Sequence, residues 1–293
     1  MRGDARAFFC DFFRGSLGLN TVSLVDHHVH LYPEELNRDP AAWASAHGET
    51  GWARMCVRRR RDGSPVQEFP GIDQLLRAMD AAGIARAVLL GWYWERLESC
   101  EWHNRAMGRW IAAHPDRLAA YAAIQPGASA EEVRAELRRA RDAGLSGVGE
   151  LSPHSVGVSI ESEGMHAALE LAESWRWRVN LHVTEPRAKP YPGMVLTPEA
   201  DFRALAARWP GVEFVLAHWA GGFDVRDLKN VRVDTAAAPL IYGDTAWALR
   251  GVSVRPDQVL FGSDFPLRLK PDQAAAVGWA AFAAEARSRG LEG

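Results

Sequence analysis

Val22-Ser23-Leu24-Val25-Asp26-His27-His28-Val29-His30 is the stretch on which the fold turns. Residues 22–29 have the β-branched and apolar density of a buried strand. An open, doubly wound sheet would follow its first strand with a glycine-rich phosphate loop, and here the strand runs into His-Val-His instead. Residues two apart on a strand face the same way, so His28 and His30 point together, with Asp26 deeper on that face. Polar groups ending an apolar strand suit a (β/α)8 barrel, whose chemistry collects where its parallel strands end.

Outward from that stretch the chain alternates strand and helix patterns. Further strands are expected at 85–93, 118–125, 146–151, 179–184, 212–218, 231–235 and 259–263. Helical periods fall at 71–82, 98–113, 130–143, 163–175, 198–209, 240–249 and 272–289. Short turns bearing glycine and proline join them, the pattern of parallel strands linked by crossovers. Eight strands alternating with seven helical periods in roughly 270 residues fit an α/β fold of the (β/α)8 TIM-barrel class, whose usual length is about 250. Residues 21–293 are thus one barrel domain. Residues 1–20, with Phe8-Phe9-Cys10-Asp11-Phe12-Phe13, are expected to be an N-terminal extension. Residues 31–70 are expected to be a long irregular loop inserted after strand one, lying over the barrel mouth.

The strand ends carry the chemistry. Strand four ends Gly147-Val148-Gly149-Glu150, strand five Asn180-Leu181-His182, strand six Leu216-Ala217-His218, and strand eight Phe261-Gly262-Ser263-Asp264. Taken singly, each has a plain structural reading: a hydrogen-bonded rim histidine, a helix-capping carboxylate, a turn former. Taken together, four histidines and two carboxylates meet at the one end of a barrel where they share a cavity. Such groups among apolar side chains are costly unless partnered, and a divalent metal partners them. Imidazole and carboxylate donors without thiolate suit Zn²⁺, with Mn²⁺ or Fe²⁺ as alternatives.

These motifs resemble the metal-dependent amidohydrolase superfamily: His28-Val29-His30, His182 in Asn180-Leu181-His182-Val183, His218 in Leu216-Ala217-His218-Trp219, and Asp264 in Gly262-Ser263-Asp264-Phe265-Pro266. The resemblance spans 22–269 and is closest to the amidohydrolase-related branch that contains aminocarboxymuconate-semialdehyde decarboxylase-type enzymes. It implies that His28, His30, His182 and Asp264 hold one divalent metal, with His218 and Asp264 as the catalytic acid/base pair. Some branches bridge two metals with a carbamylated lysine at strand four. The only lysines here, Lys189, Lys229 and Lys270, end no strand, so that site is excluded. Glu150 in Gly-Val-Gly-Glu resembles the bridging glutamate of TatD-like nucleases, and is either a ligand to a second metal or a partner orienting a histidine.

The expected activity is hydrolysis of a small carboxylated or cyclic molecule (amide, lactone or related) by metal-activated water. Non-oxidative decarboxylation of an unsaturated or aromatic acid is the alternative, because the same cage serves both. Two readings of other classes are a TatD-like two-metal phosphodiesterase and a non-catalytic metal-binding barrel. Trp92, Trp219 and Arg54 are candidate substrate-binding residues: aromatics at strand ends two and six, and an arginine in the long insertion.

Composition supports these choices. The 293 residues are 47% hydrophobic and carry 34 basic against 37 acidic side chains, for a net charge of −3. That balance argues against a nucleic-acid partner, and no apolar run reaches the ~18 residues of a membrane span. Cys10, Cys56 and Cys100 show no paired spacing, which points to a reducing cytoplasm. A homodimer is compatible with all of this.

Overall fold

The computed structural model describes residues 24–291, so the expected extension over 1–20 lies outside the described residues. The first strand, β1 (Leu24–Val29), pairs in parallel with β2 (Ile84–Leu90), and β2 with β3 (Leu118–Tyr121). A second parallel run joins β4 (Gly147–Leu151), β5 (Arg178–Leu181), β6 (Glu213–Leu216), β7 (Val231–Asp234) and β8 (Val259–Leu260). Single bridges close the ring, Ala122 to Val148 on one side and Val29 to Phe265 on the other. The result is the eight-stranded barrel expected from the alternation. Val29, Leu89, Ala120, Val148, Val179, Phe214 and Val233 are buried along the strands.

Helices pack outside because their sequences offer one apolar stripe. In α6 (Ala130–Asp142), Val133, Leu137 and Ala140 recur at helical spacing and are buried. Ser129 and Glu132 form a capping box at its start, a device worth about 1 kcal/mol. The other outer helices are α4 (Ile72–Ala82), α5 (Leu97–Ala113), α7 (Glu163–Trp175), α8 (Glu199–Arg208) and α10 (Ala275–Ser288). The helix expected at 240–249 is replaced by the single turn α9 (Ala238–Ile241) and a 3₁₀ turn at Gly243–Thr245. Gly243 adopts φ +56°, which ends the helix there.

The segment 31–70 is not the irregular loop its sequence suggests. It forms α1 (Glu34–Arg38), α2 (Pro40–His47) and α3 (Thr50–Cys56). Helices this short are unstable alone and are held by tertiary burial. Trp43 and Trp52 pack on Trp94 at ring-centroid distances of 5.5 and 5.8 Å, and Tyr32 packs on Trp52 at 5.4 Å. The buried Glu49 accepts the backbone N–H groups of Glu95 and Arg96 at 2.8 and 3.1 Å, tying these helices to the end of β2. No helix among the described residues is long and apolar enough to cross a membrane.

Strand eight is also shorter than expected. Beyond Leu260 the chain leaves the ladder for side-chain acceptors: Gly262 N–H donates to Thr235 Oγ1 at 3.0 Å and Ser263 N–H to Asp26 Oδ1 at 3.1 Å. Asp264 N–H then donates to the His28 carbonyl at 2.9 Å, which sets the Asp264 side chain beside strand one.

Candidate metal centre

Strand one carries both of its histidines into the barrel mouth. His28 and His30 are buried, and their Nε2 atoms lie 3.2 Å apart. Each ring is oriented from behind: His28 Nδ1 lies 2.9 Å from Asp234 Oδ2, and His30 Nδ1 lies 3.3 Å from the Leu90 carbonyl. With Nδ1 donating to these acceptors, Nε2 is left as the lone-pair atom facing the centre.

Glu150 divides the centre. Its Oε2 lies 3.5 Å from His30 Nε2 and 3.8 Å from His28 Nε2. Its Oε1 lies 2.9 Å from His182 Nδ1 and 3.6 Å from His218 Nε2. Two buried donor triads therefore share one carboxylate: His28, His30 and Glu150, and Glu150, His182 and His218, each with its ligand atoms within 4.8 Å of one another. Asp264 Oδ1 adds a donor to the first group, 3.6 Å from His30 Nε2 and 3.8 Å from His28 Nε2.

Local backbone explains these placements. Gly149 adopts φ +132°, and a Cβ there would lie 2.6 Å from the Asn180 carbonyl oxygen, so only glycine lets β4 deliver Glu150 this close to β5. His218 sits in a left-handed turn at φ +58°, with Trp219 and Ala220 also left-handed. Its backbone N–H donates to Asp234 Oδ1 at 3.1 Å, and its Nδ1 lies 3.0 Å from the Ala236 carbonyl.

The electrostatics call for a cation. Burial alone would depress the His28 imidazole, but the carboxylates of Asp234, Glu150 and Asp264 outweigh it and hold its pKa up at about 10. Burial pushes Glu150 upward, yet His182 and His28 hold it well below the usual carboxylate range. Asp234 is likewise depressed against its own burial, chiefly by His28. Without a metal, a proton on His28 supplies the positive charge that these carboxylates require. Imidazole and carboxylate donors in a buried cluster fit a divalent ion of the Zn²⁺ or Mn²⁺ type.

The sequence-based set is thus brought together, with one rearrangement. His28, His30, Asp264 and Glu150 converge as one group, while the structure seats His182 against Glu150 and His218 on the other side. Trp92 reaches the site, its ring edge-on to His30 at 5.2 Å. Trp219 does not line the mouth: it is fully buried and packs against Trp247 at 5.8 Å. The left-handed turn at His218 sends the next side chain into the core. Arg54 is exposed on α3, borders a surface groove with Ala41, Ala44 and Val57, and lies beside Gly193 in the loop after β5. Sequence reasoning missed Asp234, although a carboxylate ending the apolar strand Val231-Arg232-Val233-Asp234 was the same signal used elsewhere.

Comparison with known proteins identifies the family and the fold. A family model described as Amidohydrolase matches residues 25–290. No curated protein matches the sequence. Among solved structures the chain is similar to an amidohydrolase II, with TM-score 0.62 and 18% identity over 91% of this chain and 92% of that one. It is similar to a probable 2-pyrone-4,6-dicarboxylic acid hydrolase from Acinetobacter baumannii with citric acid bound (TM-score 0.57, 14% identity, 92% and 95% covered). It is also similar to 5-carboxyvanillate decarboxylase from Novosphingobium aromaticivorans, complexed with manganese and a nitrobenzoic acid (TM-score 0.60, 13% identity, 89% and 93% covered). At these identities the structural likeness is one of fold, and the family assignment rests on the model match across nearly the whole barrel: the chain belongs to the amidohydrolase family.

Proposed function

We propose that this enzyme is a metal-dependent hydrolase of small carboxylated or cyclic organic molecules, with His28, His30, Asp264 and Glu150 holding a divalent ion. The observation that carries the reading is the convergence of these four side chains, from strands one, four and eight, at the mouth of the barrel. A bound ion of this kind supplies Lewis acidity and brings a water pKa near 7. Zn²⁺ is the preferred ion for a donor set of imidazole and carboxylate, with Mn²⁺ and Fe²⁺ next. The manganese complex of the similar decarboxylase supports that range of metals.

The chain's own residues divide the proton work. Asp264, 16% exposed at its side chain and within 4 Å of His28 and His30, is the more open carboxylate beside these histidines, where it can take a proton from an attacking water. His218 is anchored through Nδ1 to the Ala236 carbonyl and presents Nε2 inward. Burial works against its charged form, but Glu150 and Asp264 raise its pKa above the usual histidine value, so it can carry a proton to an oxygen gaining negative charge. Trp92 and the adjoining Tyr93, stacked at 4.3 Å, offer a flat apolar wall for a ring.

Decarboxylation is the second reading, supported by the decarboxylases of the same fold; there His218 would deliver its proton to carbon. The Glu150–His182–His218 triad would hold a second ion in the two-metal reading. The buried thiols of Cys56 and Cys100 are consistent with a cytoplasmic location. The deciding experiment loads the protein with Zn²⁺ or Mn²⁺, counts ions per chain, and screens lactones, amides and unsaturated acids while monitoring CO₂. Hydrolysis without CO₂ supports the first reading, and CO₂ release the second. Full activity in Asp264→Asn would overturn the proton assignments.

A further inference from the structure

The loop after β5 holds a guanidinium in a fixed pose at the barrel rim. Glu185, 5% exposed, accepts from Arg187 at three points: the backbone N–H at 3.0 Å and Nε at 2.8 Å through Oε1, and Nη2 at 3.1 Å through Oε2. The Arg187 side chain itself is 72% exposed. This side-on pairing uses Nε–H and one Nη2 hydrogen. The end-on fork, made by Nη1 and the other Nη2 hydrogen, meets no partner among the described residues. Two parallel N–H groups of that kind match the two oxygens of a carboxylate.

An ion pair at a surface contributes little and usually leaves both partners in water. Here the carboxylate is buried and only the guanidinium faces out, an arrangement that orients the arginine. The backbone is fitted to it as well. Gly222 adopts φ +76°, and a Cβ there would lie 2.5 Å from Arg187 Nη2 and 3.0 Å from Glu185 Oε2. At Gly221 a Cβ would lie 2.9 Å from Val183 Cγ1 and 3.0 Å from the Thr184 carbonyl oxygen. The turn that carries His218 is therefore pressed onto the strand end that carries His182, and the Glu185–Arg187 pair sits against that junction. Tyr242, whose hydroxyl donates to the His218 carbonyl at 3.1 Å, also faces Glu185.

We propose that Arg187 is a specificity-determining residue that receives a substrate carboxylate end-on, oriented by Glu185 and admitted by the missing side chain at Gly222. The inference rests on the reading that the enzyme acts on small carboxylated molecules, and it names the group that recognises the carboxylate remote from the reacting bond. Because Glu185 offsets the charge of Arg187, the fork selects for planar, two-oxygen geometry more than for negative charge in general.

Calorimetry on the Zn²⁺-loaded protein tests this, with benzene-1,3-dicarboxylate and benzoate as probes. The dicarboxylate is expected to bind the parent at least about tenfold more tightly than benzoate, as one charged bidentate contact allows. Arg187→Gln should erase that preference, and Arg187→Lys, which keeps a charge without a fork, should retain only part of it. Gly222→Ala should weaken dicarboxylate binding while leaving Arg187 in the sequence. Metal content and circular dichroism establish that each variant is folded. An unchanged preference in Arg187→Gln, or no preference in the parent, overturns the proposal. The readout is binding, so an absence of turnover on every substrate class would sink the proposed function without touching this result. Turnover with no dicarboxylate preference would sink the clamp alone.

Discussion

His28 Nδ1 and Asp234 Oδ2, from the first and seventh strands, lie 2.9 Å apart with both residues fully buried. The contact orients a histidine that is proposed to hold the metal. Asp234 Oδ2 also accepts from Asn180 Nδ2 at 3.1 Å, and its Oδ1 accepts the backbone N–H of His218. One carboxylate thus ties strands one, five, six and seven to the metal centre. Asp234→Asn keeps the shape but weakens the acceptor and admits the wrong tautomer. Metal affinity is expected to fall about 10–100-fold, read by competition with a chelator, with the fold intact by circular dichroism.

His30 and His218 should separate metal binding from turnover. His30→Ala removes a donor of the first triad and is expected to yield protein largely free of metal. His218→Ala is expected to retain about one ion per chain and to lose about 10²–10⁴ in kcat, the usual worth of a positioned acid or base. Metal analysis alongside steady-state kinetics checks both. Loss of all metal in His218→Ala would instead assign that residue as an essential ligand.

Metal binding should release a proton. In the metal-free protein the His28 pKa stands near 10, so the ring is protonated at pH 8 and must lose that proton to bind. Affinity is therefore expected to rise with pH toward 10, and calorimetry in buffers of different ionisation enthalpy should detect about one proton released at pH 8. The sign for stability is the reverse. A pKa raised in the folded state favours folding fully below the unfolded value of about 6.5, and that contribution is lost as pH rises through about 10. Chemical denaturation of metal-free protein at pH 7 and pH 10 should show the decline.

Gly149→Ala should damage both stability and the site. Its Cβ would meet the Asn180 carbonyl oxygen at 2.6 Å in a backbone region that disfavours any side chain. A loss of about 1–3 kcal/mol is expected in denaturant titration, together with weakened metal binding because Glu150 is the next residue.

Trp92 and Trp219 should respond differently. Trp92→Ala removes a ring that lies edge-on to His30 and is expected to raise KM for cyclic substrates with little loss of metal. Trp219→Ala opens a cavity in the core and is expected to cost about 3–5 kcal/mol. A kinetic comparison paired with thermal melts separates the two.

Much of this site was legible from order along the chain. His28 and His30 share a face by strand geometry alone, and Glu150, His182, His218 and Asp264 each stand where an apolar strand stops. The three short helices at 34–56 were not legible, because five to eight residues give too little periodicity and their stability comes from packing Trp43 and Trp52 onto Trp94. Trp219 was misplaced for a related reason: a left-handed turn after His218 reverses where the next side chain points.

By itself the sequence determined the barrel and which polar side chains stand at its strand ends, since strand periodicity and the position of polar residues at strand ends are local properties. Tertiary structure alone decided how those donors are grouped. Glu150 sends one oxygen toward His28 and His30 and the other toward His182 and His218, and Asp234 reaches His28 across the ring. Such partnerships depend on distances between strands far apart in sequence, and those are set only when the barrel closes.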